Sequence, residues 1–139
     1  MKKILGTLVI LICSFTFSQA QAPATPPAAP QAIQASFNYD DAGLQKAIAE
    51  NKIELHLGNL MNGPQLAHFD QTLSYYKTYY TMTVGTYGPT GDRTCVITFK
   101  DNKVQLSIVS RLFAMNGINE LTFNGKKMPS EKFFSKFDK

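Results

Sequence analysis

Residues 53–123 read IELHLGNLMN GPQLAHFDQT LSYYKTYYTM TVGTYGPTGD RTCVITFKDN KVQLSIVSRL FAMNGINELT F. Ile53, Leu55 and Leu57 alternate with Glu54 and His56, the two-residue period of a half-buried strand, and Gly58-Asn59 ends it. Asn62-Gly63-Pro64 sets proline at a first helical position, and Leu66, Phe69, Leu73 and Tyr76 follow at steps of three and four, so a helix is predicted. From Tyr79 to Tyr87 the period returns to two, with Tyr80, Met82 and Val84 on one face and Thr81, Thr83 and Gly85 on the other. The turn Gly88-Pro89-Thr90-Gly91-Asp92 leads into Cys95, Ile97 and Phe99 on a common face, which predicts an antiparallel hairpin. Asp101 or Asn102 is placed to cap a helix carrying the stripe Val104, Ile108, Leu112 and Met115, and Asn116-Gly117 supplies a left-handed stop. Leu121–Phe123 is a brief strand before the tight turn Asn124-Gly125.

The order strand, helix, strand, strand, helix, strand predicts an α+β domain of the ferredoxin-like βαββαβ type, with two helices over one face of a four-stranded sheet. A helix-plus-meander arrangement is the alternative. Short terminal helices are expected on either side. Asp40 or Asp41 can cap one that runs through Leu44, Ala47 and Ile48 to Asn51, and Ser130 can cap another that buries Phe133, Phe134 and Phe137.

Outside this unit the chain changes character. Lys2-Lys3 followed by the apolar run Ile4–Phe17 and the small-residue end Ser18-Gln19-Ala20 reads as a secretory signal over 1–20. Residues 21–36 are Pro- and Ala-rich, which predicts a disordered linker, and 37–139 then form one domain. Cys13 lies in the apolar run behind Ile12, where a lipobox needs a small residue, so a cleaved product is expected rather than a lipoprotein. The expected location is the periplasm or the exterior, with no membrane span in the mature chain. Only Cys95 is left after cleavage, so no internal disulfide can form and stability must come from the core. In its strand-like context Cys95 is expected to be a small buried hydrophobe.

The chain of 139 residues carries 14 Lys plus Arg against 10 Asp plus Glu. Loss of Lys2 and Lys3 with the signal brings the formal net charge from +4 to +2, and from Leu121 onward Lys126, Lys127, Lys132, Lys136 and Lys139 face only Glu131 and Asp138. The excess is a tail property, suited to a solvated helix face, and no nucleic-acid partner is expected.

Residues 53–123 resemble the heavy-metal-associated domains, small βαββαβ modules that ferry soft metals. Those domains place a C-x-x-C pair between first strand and first helix. The matching loop here, Gly58-Asn59-Leu60-Met61-Asn62-Gly63, has no cysteine. Soft-metal ligation needs thiolates or several thioethers. No metal and no cofactor are therefore expected, and the alternative reading as a degenerate metal-binding domain has only Met61, His56 and His68 to draw on. His68 and Asp70, two apart on a helix, do not face each other. Acylphosphatases share the fold and use an arginine in a phosphate-binding loop near the first strand, whereas Arg93 and Arg111, the only arginines, lie elsewhere. Neither G-x-S-x-G nor a local Ser or Cys with His occurs, and Gly85–Gly91 lacks the Lys-Ser/Thr of a phosphate cradle, so no enzyme is expected.

What stands out is the tyrosine concentration. Tyr76 and Tyr80 fall on core phases, whereas Tyr75, Tyr79 and Tyr87 fall on the opposite ones and form a candidate contact surface. A second candidate surface is the outer sheet face with Glu54, Thr81, Thr83, Thr94 and Thr98. Together they predict a non-catalytic binding module whose partner is another envelope or extracellular protein.

Overall fold

The computed structural model describes residues 29–137. The expected signal and the first half of the expected linker, 21–28, lie outside the described residues. In chain order the elements are strand β1 (Gln34–Phe37), helix α1 (Asp41–Ala49), β2 (Lys52–Gly58), α2 (Pro64–Ser74), β3 (Tyr80–Val84), β4 (Asp92–Phe99), α3 (Leu106–Met115), β5 (Glu120–Phe123), β6 (Lys126–Pro129) and α4 (Ser130–Phe134), which runs into a 3-10 turn over Ser135–Phe137. The protein is α+β, with a six-stranded mixed sheet in the order β3-β4-β2-β1-β5-β6. Every neighbouring pair is antiparallel except β1 with β5.

Local chemistry accounts for most of the boundaries. Asp40 caps α1 by accepting the Gly43 N–H at 2.6 Å, and Asn51 at φ 55° closes the turn that follows. Pro64 sits in the first turn of α2, where its missing N–H costs nothing. Asn124 and Gly125 both adopt positive φ, 48° and 71°, the requirement of a two-residue turn that matches strand twist.

Four boundaries differ from the sequence reading, each for a physical reason. The linker expected over 21–36 ends before Ile33, because β1 enters the middle of the sheet with Ile33, Ala35 and Phe37 buried. An alanine at the central inward position of a four-residue strand gives almost no hydrophobic alternation to read. The four-stranded sheet gains β6 as well, a Lys-rich strand with a proline at its end, the composition of a sheet edge rather than of a strand core. The strand expected over 79–87 is shorter, because Gly85 and Thr86 already belong to the turn region. Asp101 and Asn102 do not cap α3. Both are left-handed, at φ 57° and 51°, in the turn leaving β4, so α3 starts at Leu106 and Met115 faces solvent instead of the core.

One phase of every strand meets the helices. Ile53, Leu55 and Leu57 of β2 and Cys95, Ile97 and Phe99 of β4 join Leu44 and Ala47 of α1, Phe69 of α2, five residues of α3, and Phe133 and Phe134 of α4 in a single buried cluster. Phe69, Ile97, Ile108 and Phe123 all lie in it. Phe133 is its aromatic hub, with ring centroids 5.2 Å from those of Phe37, Phe123 and Phe134 and 5.5 Å from that of Phe137.

Candidate functional site

Because all four helices contribute to that one cluster, the other phase of the strands has no helix over it. This open face carries Ser36, Glu54, His56, Thr81, Thr83, Thr94, Thr98 and Thr122, every one of them exposed or half-buried. It is the polar platform expected from the sequence, widened by β1 and β5.

Register puts His56 at its centre, directly opposite Ser36 on β1 and Thr94 on β4. Its Nδ1 lies 3.3 Å from the Asp92 carboxylate and 3.4 Å from the Thr94 hydroxyl, and its Nε2 lies 3.8 Å from Glu54. Asp92 also accepts a hydrogen bond from Thr90. Two shallow, open clefts meet at His56. One of about 410 Å³ reaches toward Gly85, Thr86 and Thr90; the other, about 260 Å³, runs toward Gln34, Ser36 and Asn59. No hydrogen bond joins Ser36 to His56 among the described residues. The imidazole is held between carboxylates and hydroxyls, an arrangement that offers donors and acceptors to a surface laid over it.

On the opposite side of β4, Arg93 is only 4% exposed. Its Nε donates to the Leu60 carbonyl at 2.7 Å, Nη1 to the Gly85 carbonyl at 2.7 Å and Nη2 to the Asn62 side chain at 2.6 Å. The guanidinium carbon stands 5.5 Å from the Tyr87 ring centre. Arg93 thus fastens the loop after β2 to the loop after β3, and so fixes the rim of the larger cleft.

The three tyrosines picked out by phase are all exposed: Tyr75 at 59%, Tyr79 at 47% and Tyr87 at 40%. They do not form one patch. Tyr75 and Tyr79 stand before β3 and Tyr87 beyond its other end, while Tyr76 stacks on the buried Tyr80 with ring centroids 6.1 Å apart. The alternative metal ligands do not converge either. His56 lies on the open face, whereas His68 is on α2, on the helix side, with Nε2 3.4 Å from the Met115 carbonyl, and Met61 is exposed in the loop between. Among the described residues no three His, Cys, Asp or Glu side chains gather as a metal site. Cys95 is buried, and that burial pushes its thiol up to about 11.

Sequence reasoning placed Glu54, His56 and Thr94 on the outer face but missed Ser36, Asp92 and the buried Arg93. Asp92 shares a phase with Thr94, yet only the register of β4 on β2 brings it to His56. None of the described helices is long and apolar enough to cross a membrane. Compared with protein-family models, curated proteins and solved structures, the chain has no match.

Proposed function

We propose that this protein is an exported, non-catalytic binding module that acts through protein contacts in the periplasm or outside the cell. The observation that carries the reading is the open face of the six-stranded sheet. A helix-free surface of threonine hydroxyls, carboxylates and one histidine suits contact with another folded surface, because it offers many hydrogen-bonding groups and no enclosed apolar cavity. Of the three exposed tyrosines, Tyr79 shares the phase of Thr81 and Thr83 at the β3 edge and adds an amphipathic ring of the kind protein interfaces favour, while Tyr75, at the end of α2, and Tyr87, against Arg93, stand apart from the open face. Against catalysis, the one hydroxyl within reach of the His56 ring, that of Thr94 at 3.4 Å, shares Nδ1 with the Asp92 carboxylate at 3.3 Å, and both lie on an open sheet face with no enclosed pocket around them.

In the same reading the fold is a ferredoxin-like core with one strand inserted and one appended. Leaving out β1 and β6, the order is β5-β2-β4-β3, with α2 and α3 as the two crossovers.

The test is capture from the organism's own cell envelope with the immobilised exported chain, side by side with Glu54→Lys/Thr98→Lys. Both substitutions are on the open face and leave the core untouched. A protein retained by the native chain and lost with the variant is the expected result. Equal retention by both, or retention of nothing beyond a blank matrix, refutes the proposal.

A further inference from the structure

The two edges of the sheet are built differently. The β6 edge carries Lys126, Lys127 and Pro129, the devices that keep an edge from pairing with another chain. The β3 edge, Tyr80-Thr81-Met82-Thr83-Val84, has no charge and no proline, and its Tyr, two Thr and Val favour strands.

The ladder shows which backbone groups of β3 are free. Gly85 donates to the Thr94 carbonyl at 2.9 Å, and the Tyr79 carbonyl accepts from Lys100 at 2.9 Å. Antiparallel pairing alternates, so residues 79, 81, 83 and 85 turn their N–H and C=O toward β4. Residues 80, 82 and 84 turn theirs outward. The Tyr80 N–H is taken by the Tyr76 carbonyl at 3.2 Å. The Met82 and Val84 amides and carbonyls and the Tyr80 carbonyl meet no partner among the described residues.

We propose that β3 pairs with the β3 strand of a second copy of this chain, antiparallel across a two-fold axis at Met82. Each Met82 N–H then donates to the other copy's Met82 carbonyl, and each Val84 N–H to the other copy's Tyr80 carbonyl, so every free donor on the edge is satisfied. On the open face Thr81 of one copy stands opposite Thr83 of the other, in the closer, non-hydrogen-bonded kind of pair. On the core face the half-buried Met82 meets its own counterpart, and Val84 meets Tyr80. The exposed Tyr79 lies opposite the other copy's Gly85, a residue that cannot carry a side chain because its Cβ would approach the Thr94 carbonyl oxygen to 2.5 Å. An aromatic ring laid over an edge glycine is a recurrent way to cover one.

A second copy suits this edge better than a foreign strand for two reasons. The free groups are self-complementary about Met82, and the strand brings no charge to repel itself. The contact is also closed. Head-to-tail growth through β6 would set Pro129 and its lysines into the ladder, so association stops at two. Pairing over five residues is smaller than a standard interface, so the dimer is weak, with Kd of roughly 10–100 μM. It joins the two open faces into one continuous sheet surface.

Sedimentation equilibrium of the exported chain from about 5 to 500 μM reads the result directly. The native chain is expected to pass from monomer to dimer across that range. Thr81→Lys/Thr83→Lys sets like charges opposite each other, as does Thr81→Glu/Thr83→Glu; each variant alone is expected to stay monomeric with an unchanged circular dichroism spectrum. Mixed in equal amounts, the two variants are expected to dimerise again. A native chain that stays monomeric at the highest concentration overturns the pairing, as does a lysine variant that dimerises like the native chain or a mixture that stays monomeric. Capture of only a foreign strand on this edge overturns it too. The outcome is separate from the envelope capture above, which reads Glu54 and Thr98 on β2 and β4.

Discussion

Replacing Phe133 by alanine tests the core where it is most concentrated. The ring is buried, touches four other phenylalanines and belongs to α4, a helix of five residues that has no stability of its own. Phe→Ala in a closed core costs about 3–5 kcal/mol, from lost transfer energy plus the cavity left behind. The upper half of that range applies here, because the neighbours are rigid rings anchored on β1, β5 and α4 and cannot collapse into the space. For a domain whose whole stability is of order 5–15 kcal/mol, a loss near 4 is a large fraction. With a urea slope of about 1.5 kcal/mol/M the unfolding midpoint falls by about 2.7 M. Urea titration followed by far-ultraviolet circular dichroism measures this, with Phe137→Ala as the comparison, since Phe137 is half-buried and caps only one side of the hub. A midpoint shift below about 0.7 M for Phe133→Ala, or one no larger than for Phe137→Ala, would refute the reasoning that α4 closes the core.

Further outcomes are expected at three other positions. Arg93→Leu leaves the Leu60 and Gly85 carbonyls and the Asn62 side chain without their donor, and about 3 kcal/mol of stability should go with it; Arg93→Lys, lacking the planar fork, should recover less than half, as urea midpoints and proteolysis at residues 59–63 and 85–91 can show. Cys95 has its folded value raised to about 11 from 9.0, so the stability it contributes is whole below pH 9 and is lost as pH rises to 11, up to about 2–3 kcal/mol. Burial raises Tyr80 in the same direction from its ordinary 10.0, so the native chain should weaken from pH 9 and Cys95→Val only from about pH 10, read from urea midpoints at each pH. Gly125→Ala meets open space but forces a side chain onto φ 71°, so it should cost about 1 kcal/mol and lower Tm by about 4–8 °C in a thermal melt.

How far the sequence carries depends on which interactions are local. β2 could be read because Ile53, Leu55 and Leu57 alternate with polar residues, and α3 because its apolar residues recur at helical spacing through Leu112. The turn at Asn124-Gly125 follows from two residues that tolerate positive φ. β1 could not be read, because its membership of the sheet depends on β2 on one side and on β5, more than eighty residues later, on the other. The start of α3 was misplaced because Asn102 answers to a distant partner: its side-chain carbonyl accepts from Asn51 at 2.9 Å, across the turn that follows α1. At the surface, the exposure of Tyr75, Tyr79 and Tyr87 was legible from phase alone. The ring of groups around His56 was not, since Ser36, Asp92 and Thr94 reach it from two neighbouring strands whose register no local pattern encodes.

The place of β1 bears on how the protein responds to load. It is the first described strand to leave the N-terminal side, yet it is clamped between two ladders in the interior of the sheet. Tension arriving from that side cannot peel it away bond by bond, as it could an outermost strand; it must slide β1 along β2 and β5 together, breaking both rows in shear. A chain held from its N-terminal side would therefore give way late and all at once.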